Sequence, residues 1–233
     1  MAGGDAKPVR PRHRLVWLAL LAGLVLGPIG AVIVHAVVPP PITLLMVTRL
    51  FEGEGLHVRW RSLGRISPDL VDAVIAAEDA RFCEHNGFDF EAIQDAMESN
   101  AEGGRIRGGS TISQQTAKNV FLWPGRSWVR KGLEAGYTAL IETFWTKRRI
   151  IEVYLNVAEM GPGVYGAEAA SRHWFGKSAS ELTRQEAARL AAILPNPREY
   201  RAANPGPYVR RRARAIQGNM AVIRNEGLSD CTA

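Results

Sequence analysis

The stretch Ser67-Pro-Asp-Leu-Val-Asp-Ala-Val-Ile-Ala-Ala-Glu-Asp-Ala-Arg-Phe-Cys-Glu-His-Asn-Gly87 sets the reading of the chain. Ser67 is a helix-capping residue type, and Pro68 suits the first helical position, where no backbone N–H is needed. Val71, Val74, Ile75, Glu78 and Phe82 recur at helical spacing and share one face. Glu78 is the one charged residue among them. A carboxylate on an apolar face is either paired with a cation or desolvated, and desolvation raises its pKa. A raised carboxyl suits a general base working near neutral pH. The pattern alone leaves open whether Glu78 is that base or half of a buried pair with arginine. His85, just before Gly87, reads as a helix end and, taken alone, as a structural histidine.

Outward from this helix the period stays between three and four. Ser110 or Ser113 opens a helix after Gly108-Gly109. Ser127 opens a long one with Leu133, Tyr137, Leu140, Ile141 and Phe144 on one face. Thr146 caps the next, which carries Ile150, Ile151, Tyr154 and Leu155. Thr183-Arg-Gln-Glu186 is a capping box, and Pro195 follows the end of its helix. Pro207 to Glu226, stopped by Gly227, is the last. Only His57–Leu63 hints at a strand, and nothing alternates as a βαβ series would. The expected fold class is mainly α.

Toward the N-terminus, Leu15 to Val38 is a run of 24 residues with His35 as its only ionisable side chain. As a helix it would be about 36 Å long, enough to cross a hydrocarbon core. Lys7, Arg10, Arg12 and Arg14 precede it against Asp5 alone. A cleaved signal peptide would be shorter with a clearer exit, and a buried core helix would show a polar face. The run therefore reads as an uncleaved anchor, interrupted at Gly27-Pro28 and ended by Pro39-Pro40-Pro41. The expected organisation is a basic cytoplasmic tail over 1–14, a transmembrane anchor over 15–38 and an extracytoplasmic domain over 39–233. Residues 42–51, Ile-Thr-Leu-Leu-Met-Val-Thr-Arg-Leu-Phe, are either core or a segment resting on the outer leaflet.

Lysine plus arginine minus aspartate plus glutamate is 29 − 23, a net +6, which suggests an anionic partner without naming it. The apolar share of 46% excludes a disordered or fibrous chain. Cys83 and Cys231 offer neither a metal spacing nor a disulfide framework, and no bridge between them is expected.

Four further segments bear on chemistry. Arg107 to Asn119 places two glycines, Ser110 and Thr111 at a helix start, where free N–H groups favour an anion, and sets Gln114 and Lys118 on one face. It lacks the order of a P-loop, and an unliganded helix cap explains it as well. Arg126 precedes Arg130-Lys131-Gly-Leu-Glu134, where Arg130 and Glu134 read as an ordinary surface pair. Lys147-Arg148-Arg149 opens a helix against the macrodipole, a weak hint of an external anion. Arg210-Arg211-Arg212 reads as a solvated face.

In their order along the chain these segments resemble the family 51 glycosyltransferases, the peptidoglycan glycan-strand polymerases. Glu78-Asp79-x-x-Phe82-x-x-His85-x-Gly87 is similar to the first motif of that family. Gly109-Ser110-Thr111-Ile112 with Gln114-Gln115 and Lys118-Asn119 is similar to the second, and Arg130-Lys131-x-x-Glu134 to the third. Lys147-x-x-Ile150-Ile151-Glu152-x-Tyr154-Leu155-Asn156 resembles the fourth. Gly166 to Ala170, followed by Trp174-Phe175-Gly176-Lys177, resembles the fifth, with Trp174 where the family usually has tyrosine. Ser113 stands where threonine is frequent. The resemblance spans about Pro68 to Pro197. No Ser-x-x-Lys is present, so the likeness is to the monofunctional branch, which has no transpeptidase activity.

The resemblance implies a lysozyme-like helical domain with a smaller membrane-associated jaw. It implies lipid II and the growing strand as substrates, joined with inversion into a β-1,4 bond. Glu78 would be the general base and Glu134 the second carboxylate of the site. Ser110, Lys118, Arg126 and Arg130 would bind the diphosphate end, and Gln114 and Gln115 would shape the donor site. No cofactor is obligatory, although Glu134 could position a divalent cation, Mg or Mn. The expected location is the bacterial inner membrane, with cell-wall synthesis or division proteins as partners and no nucleic acid. A glycan-cleaving enzyme of lysozyme type and an anchored binder of anionic polymer are the alternatives.

Overall fold

The computed structural model describes residues 12–101, 109–125 and 127–233. In chain order the elements are α1 (Arg12–Val37), α2 (Leu44–Phe51), β1 (His57–Val58), α3 (Pro68–Glu78), α4 (Phe90–Ala101) and α5 (Ile112–Phe121). They continue with α6 (Trp128–Phe144), α7 (Lys147–Val157), β2 (Glu159–Gly161), β3 (Val164–Tyr165), α8 (Ala167–Phe175), α9 (Arg184–Ile193) and α10 (Pro207–Asn225). The fold is mainly α, as the periodicity indicates, with α2, α4, α8, β2 and β3 added to the expected elements.

The core gathers around α7, whose Ile150, Ile151, Val153, Tyr154, Leu155 and Val157 are all buried. α3 packs against α9 and α10 on one side of the core, and α5 packs against α6 and α7 on the other. α3 stops at Glu78 and does not continue to Phe82: Asp79 leaves the helix at φ −165° and ψ 74°. Phe82 is nonetheless fully buried.

The three short strands pair in the order β1-β3-β2, with β1 parallel and β2 antiparallel to β3. The strand expected over His57–Leu63 contracts to two residues. Its continuation is taken over by Asn156, whose side chain accepts from the Arg61 N–H and donates to the Arg61 carbonyl, each at 2.8 Å. Gly163 makes the connection between β2 and β3 possible. At φ +66° a Cβ there would lie 2.1 Å from the Gly55 carbonyl oxygen, so a side chain would push the two segments apart.

Within α1, Val16–Val37 is long and apolar enough to cross a membrane. Its last turns dock on the domain. Val32 is buried and its carbonyl accepts from the Trp145 indole at 2.8 Å. Arg149 donates to the His35 carbonyl at 3.1 and 3.0 Å and to the Val38 carbonyl at 3.1 Å. These carbonyls lie at the negative pole of α1, where a cation is favoured. Lys147 donates to the His85 carbonyl at 2.6 Å and to Glu142 at 2.8 Å, and Arg148 donates to the Thr232 carbonyl at 2.6 Å. The cations that hinted at an external anion are therefore used inside the fold.

α2 is capped by Thr43 and buries only Met46, while Leu44, Val47, Leu50 and Phe51 are exposed. This favours the leaflet reading of residues 42–51 over the core reading. α6 is rotated from its expected face without being reversed. Ile141 is buried and Tyr137 and Leu140 pack against the core as expected, but Arg130, Glu134 and Thr138 are buried beside them, and Leu133, Phe144, Trp128 and Val129 are exposed. α1, the helix long and apolar enough to cross a membrane, packs on α6.

Cys83 and Cys231 are joined by a disulfide, with Cα atoms 5.7 Å apart, against expectation. Folding closes their separation of 148 positions because the chain after α10 returns to α3. Arg224 holds Asp72 at 3.0 Å and Asp69 at 2.7 Å, and Ser229 donates to Asp72 at 3.0 Å.

Candidate active site

Glu78 is the last residue of α3, and its neighbour Asp79 fixes where it points. One Asp79 oxygen accepts from the N–H of Ile112, the first residue of α5, at 2.9 Å. The other lies 2.8 Å from His85 Nε2. The Gly87 N–H donates to His85 Nδ1 at 3.1 Å, so Nε2 carries the hydrogen that meets Asp79. Thr111 donates to the Gly87 carbonyl at 2.7 Å. Asp79 and His85 thus lock the end of α3 to the start of α5, and His85 is structural.

α5 is opened by Thr111, not by Ser110 or Ser113. Thr111 Oγ1 accepts from the Gln114 N–H at 3.2 Å, and Gln114 Oε1 accepts from the Thr111 N–H at 3.0 Å. This is a capping box, and it takes up the buried Gln114 side chain. Ser113 is buried and donates to Glu142, while Ser110 is exposed just ahead of the cap.

Gln115 turns toward Glu78. Its Nε2 donates to Glu78 Oε2 at 3.0 Å, and its Oε1 accepts from the Tyr154 hydroxyl at 3.2 Å. Arg212 donates to Glu78 Oε1 at 3.3 Å, so Glu78 is both paired and, at 14% side-chain exposure, largely buried. Burial pushes the Glu78 carboxyl above the usual range, against the lowering pull of the Gln115 N–H, Arg212 and Lys118. Arg212 is not part of a solvated face, because α10 packs on α3 and brings this residue to the end of α3.

Lys118 projects from α5 toward the buried polar stripe of α6. Arg130 donates to Glu134 at 3.2 Å, and Lys131 donates to the other Glu134 oxygen. Arg130 and Glu134 are 7% and 4% exposed, so this is a buried pair and not the surface pair the spacing suggested. Burial pushes the Lys118 amine down, Glu134 and Glu78 oppose that, and Arg130 and Lys131 add to it. Three cations around one carboxylate favour an incoming anion.

Gln115, Lys118, Asn119, Arg130 and Tyr154 line a cleft of about 300 Å³ that also takes in Arg49 of α2, Trp123 and Glu159 of β2. Glu78 adjoins it through Gln115. The fold therefore brings together Glu78, Gln115, Lys118, Arg130 and Glu134. Arg126 lies outside the described residues, as does Arg107-Gly108. The donor set at Glu134 does not suit a divalent cation, since each of its oxygens already accepts from a cationic side chain. No cluster of three metal-ligating side chains occurs among the described residues. The sequence reading missed Tyr154, Arg212, Arg49 and Glu159 as site residues. Tyr154 carried a signal through the segment Lys147 to Asn156, whereas Arg212 is one of three consecutive arginines that sequence does not tell apart.

The profile of the family described as Transglycosylase matches residues 46–221. A Caulobacter vibrioides protein named biosynthetic peptidoglycan transglycosylase is 59% identical over 225 residues, covering 97% of this chain and 98% of its own. A protein of the same name from Rhodospirillum centenum is 54% identical over 222 residues, covering 95% and 96%. Another from Xanthomonas campestris pv. campestris is 56% identical over 228 residues, with 92% of each chain covered. With a buried carboxylate set beside a cationic cleft and matches of this extent, the chain belongs to the transglycosylase family.

Proposed function

We propose that this protein is a peptidoglycan glycosyltransferase that polymerises glycan strands from lipid II. The observation that carries the reading is the juxtaposition of Glu78, a buried carboxylate with a raised pKa, and a cleft lined by Lys118 and Arg130. Glu78 takes the proton from the acceptor 4-hydroxyl, whose oxygen attacks C1 of the donor sugar. The bond from C1 to the diphosphate oxygen breaks, the carbon inverts, and a β-1,4 linkage results. Lys118 and Arg130, with Arg126 as the family resemblance implies, hold the diphosphate as its charge grows. Glu134 keeps Arg130 and Lys131 in place. Gln115, oriented by Tyr154, aims Glu78, and Gln114 acts through the cap that starts α5. Ser110, ahead of that cap, adds a hydroxyl at the diphosphate end.

A glycan-cleaving enzyme would need the carboxylate but not the cations, and a binder of anionic polymer would need the cations but not Glu78. The anchor keeps the enzyme where its lipid-borne substrates diffuse. Basic residues before α1 support a cytoplasmic N-terminus and a catalytic domain outside the inner membrane, and the disulfide supports an oxidising compartment for that domain. Proteins of cell-wall synthesis or division are the partners this location brings within reach. Incubation of the full chain in detergent or bilayer with labelled lipid II tests the reading. A ladder of polymer is expected, and trimming of added strands or binding without turnover would overturn it.

A further inference from the structure

The wall that α5 gives to the cleft changes its chemistry in one direction. Gln115, Lys118, Asn119 and Leu122 recur at i, i+3, i+4 and i+7, and all four line the cleft, so one face of this helix supplies the wall. The helix starts beside the base: the Ile112 N–H donates to Asp79 at 2.9 Å, and Gln115 donates to Glu78 at 3.0 Å. At about 1.5 Å per residue, Lys118 stands about 5 Å beyond Gln115 and Leu122 about 10 Å beyond it. The order leading away from Glu78 is therefore an amide that holds the base, then a cation, then apolar surface.

The apolar end is open to a ligand. Leu122 is buried, but Trp123 beside it lines the cleft and is 45% exposed. Leu45 of α2, itself half-buried, lines the same cleft, and α2 packs on α5. On the same helix Leu44, Val47, Leu50 and Phe51 are exposed, so apolar surface continues from the cleft onto the segment read above as resting on the leaflet. A sugar carried on a lipid diphosphate has the same order of chemistry: the carbon under attack, then the diphosphate, then the isoprenoid chain. With the sugar beside Glu78 and the diphosphate on Lys118 and Arg130, the chain leaves toward the end of α5 that carries Trp123.

We propose that Trp123 and Leu45 form a subsite for the first isoprene units of the lipid carrier, with the Trp123 indole as the main contact. The assignment rests on the glycan-polymerising reading above and adds to it a specificity element for the leaving group. The chain keeps the same contacts before and during reaction, so the subsite contributes uniform binding and acts on KM more than on kcat.

The test uses the full chain in detergent and two non-reactive disaccharide diphosphates, one ending in a methyl group and one in a prenyl chain of two isoprene units. Partition of a probe into detergent is common to variant and parent and cancels in their ratio. Trp123→Ala should weaken the prenyl probe about tenfold, the loss expected when an indole no longer covers the chain, and should leave the methyl probe unchanged. Trp123→Phe should keep most of the affinity. In turnover of lipid II, Trp123→Ala should raise KM more than it lowers kcat. Thermal melting is the folding control, and the exposure of Trp123 makes an unchanged melting temperature the expected result. Equal weakening of both probes would place the indole on the sugar or in the shape of the cleft, and unchanged binding of the prenyl probe would leave Trp123 to the bilayer; either overturns the subsite. A parent that binds both probes alike also overturns it. A parent that binds neither overturns the glycan-polymerising reading itself.

Discussion

Replacing Arg212 by methionine removes a charge from Glu78 while nearly conserving side-chain volume, so the burial that raises the Glu78 pKa persists. Two unit charges about 4 Å apart interact by about 4 kcal/mol at an effective dielectric of 20. Arg212 is 28% exposed, so solvent screens the pair, and about a third of that figure is a reasonable share for it. This corresponds to about one pKa unit. Arg212 favours the carboxylate, so its loss moves the Glu78 pKa further upward. Lys118 on α5 still faces Glu78, as do the Gln115 amide and, behind it, Tyr154 on α7, and these are unchanged. The acid limb of kcat/KM against pH should therefore shift up by about one unit, lowering the rate on that limb about tenfold while the plateau holds. Arg212→Lys should restore most of the shift. The assay is continuous polymerisation of a fluorescent lipid II from pH 5 to 9, on protein with an unchanged melting temperature. An acid limb that stays in place in Arg212→Met would refute the coupling of this arginine to the base.

Glu168 should govern acid stability. It is fully buried, and although burial would raise its pKa, the Ala179 N–H, Arg172, Ser178 and Arg61 hold it at about 2, below the ordinary 4.5. Stability from this group is present above about 4.5 and lost as pH falls toward 2, and it amounts to about 3 kcal/mol. Glu168→Gln should melt lower than the parent at pH 7 and converge with it near pH 2; parallel melting curves at every pH would argue against this. The disulfide closes a loop of 148 positions, for which chain entropy gives up to about 5 kcal/mol. Cys83→Ser with Cys231→Ser should lower the denaturant midpoint as reductant does on the parent, and a variant midpoint equal to that of the oxidised parent would show the bridge to be idle. Leu50→Glu with Phe51→Glu, on the exposed face of α2, should slow turnover of bilayer-embedded substrate more than turnover in detergent.

The helices were legible where capping chemistry and apolar period agreed. Ser127, Thr146 and Thr183 cap α6, α7 and α9 as their residue types indicate. The start of α5 was misplaced because three hydroxyl residues compete there, although Thr111 and Gln114 carry the capping-box spacing. The face of α6 was legible in part: Tyr137, Leu140 and Ile141 meet the core, whereas Arg130 and Glu134 are buried because they pair with each other, which an apolar pattern does not reveal. Glu78 stood out because burial of a carboxylate breaks a periodic pattern. Its partner Arg212 did not, since arginines on an amphipathic helix look alike until packing selects one. The Cys83–Cys231 bridge and the Arg49–Glu159 pair join segments more than 100 positions apart, where local pattern carries no information.

The most direct measurement is polymerisation of labelled lipid II by Glu78→Gln alongside its binding of a sugar-free lipid diphosphate. The variant keeps the shape of the side chain and removes the proton acceptor. Polymer formation should fall by about 10²–10⁴-fold. Diphosphate binding should stay close to that of the parent, because Lys118 and Arg130 are untouched. The fold should be no less stable: a carboxyl whose folded pKa is raised makes stability decline as pH rises from its unfolded value through the folded one, and glutamine escapes that decline. Polymerisation by folded Glu78→Gln at more than about a tenth of the parental rate would contradict the assignment of Glu78 as the base, and with it the central account of the site.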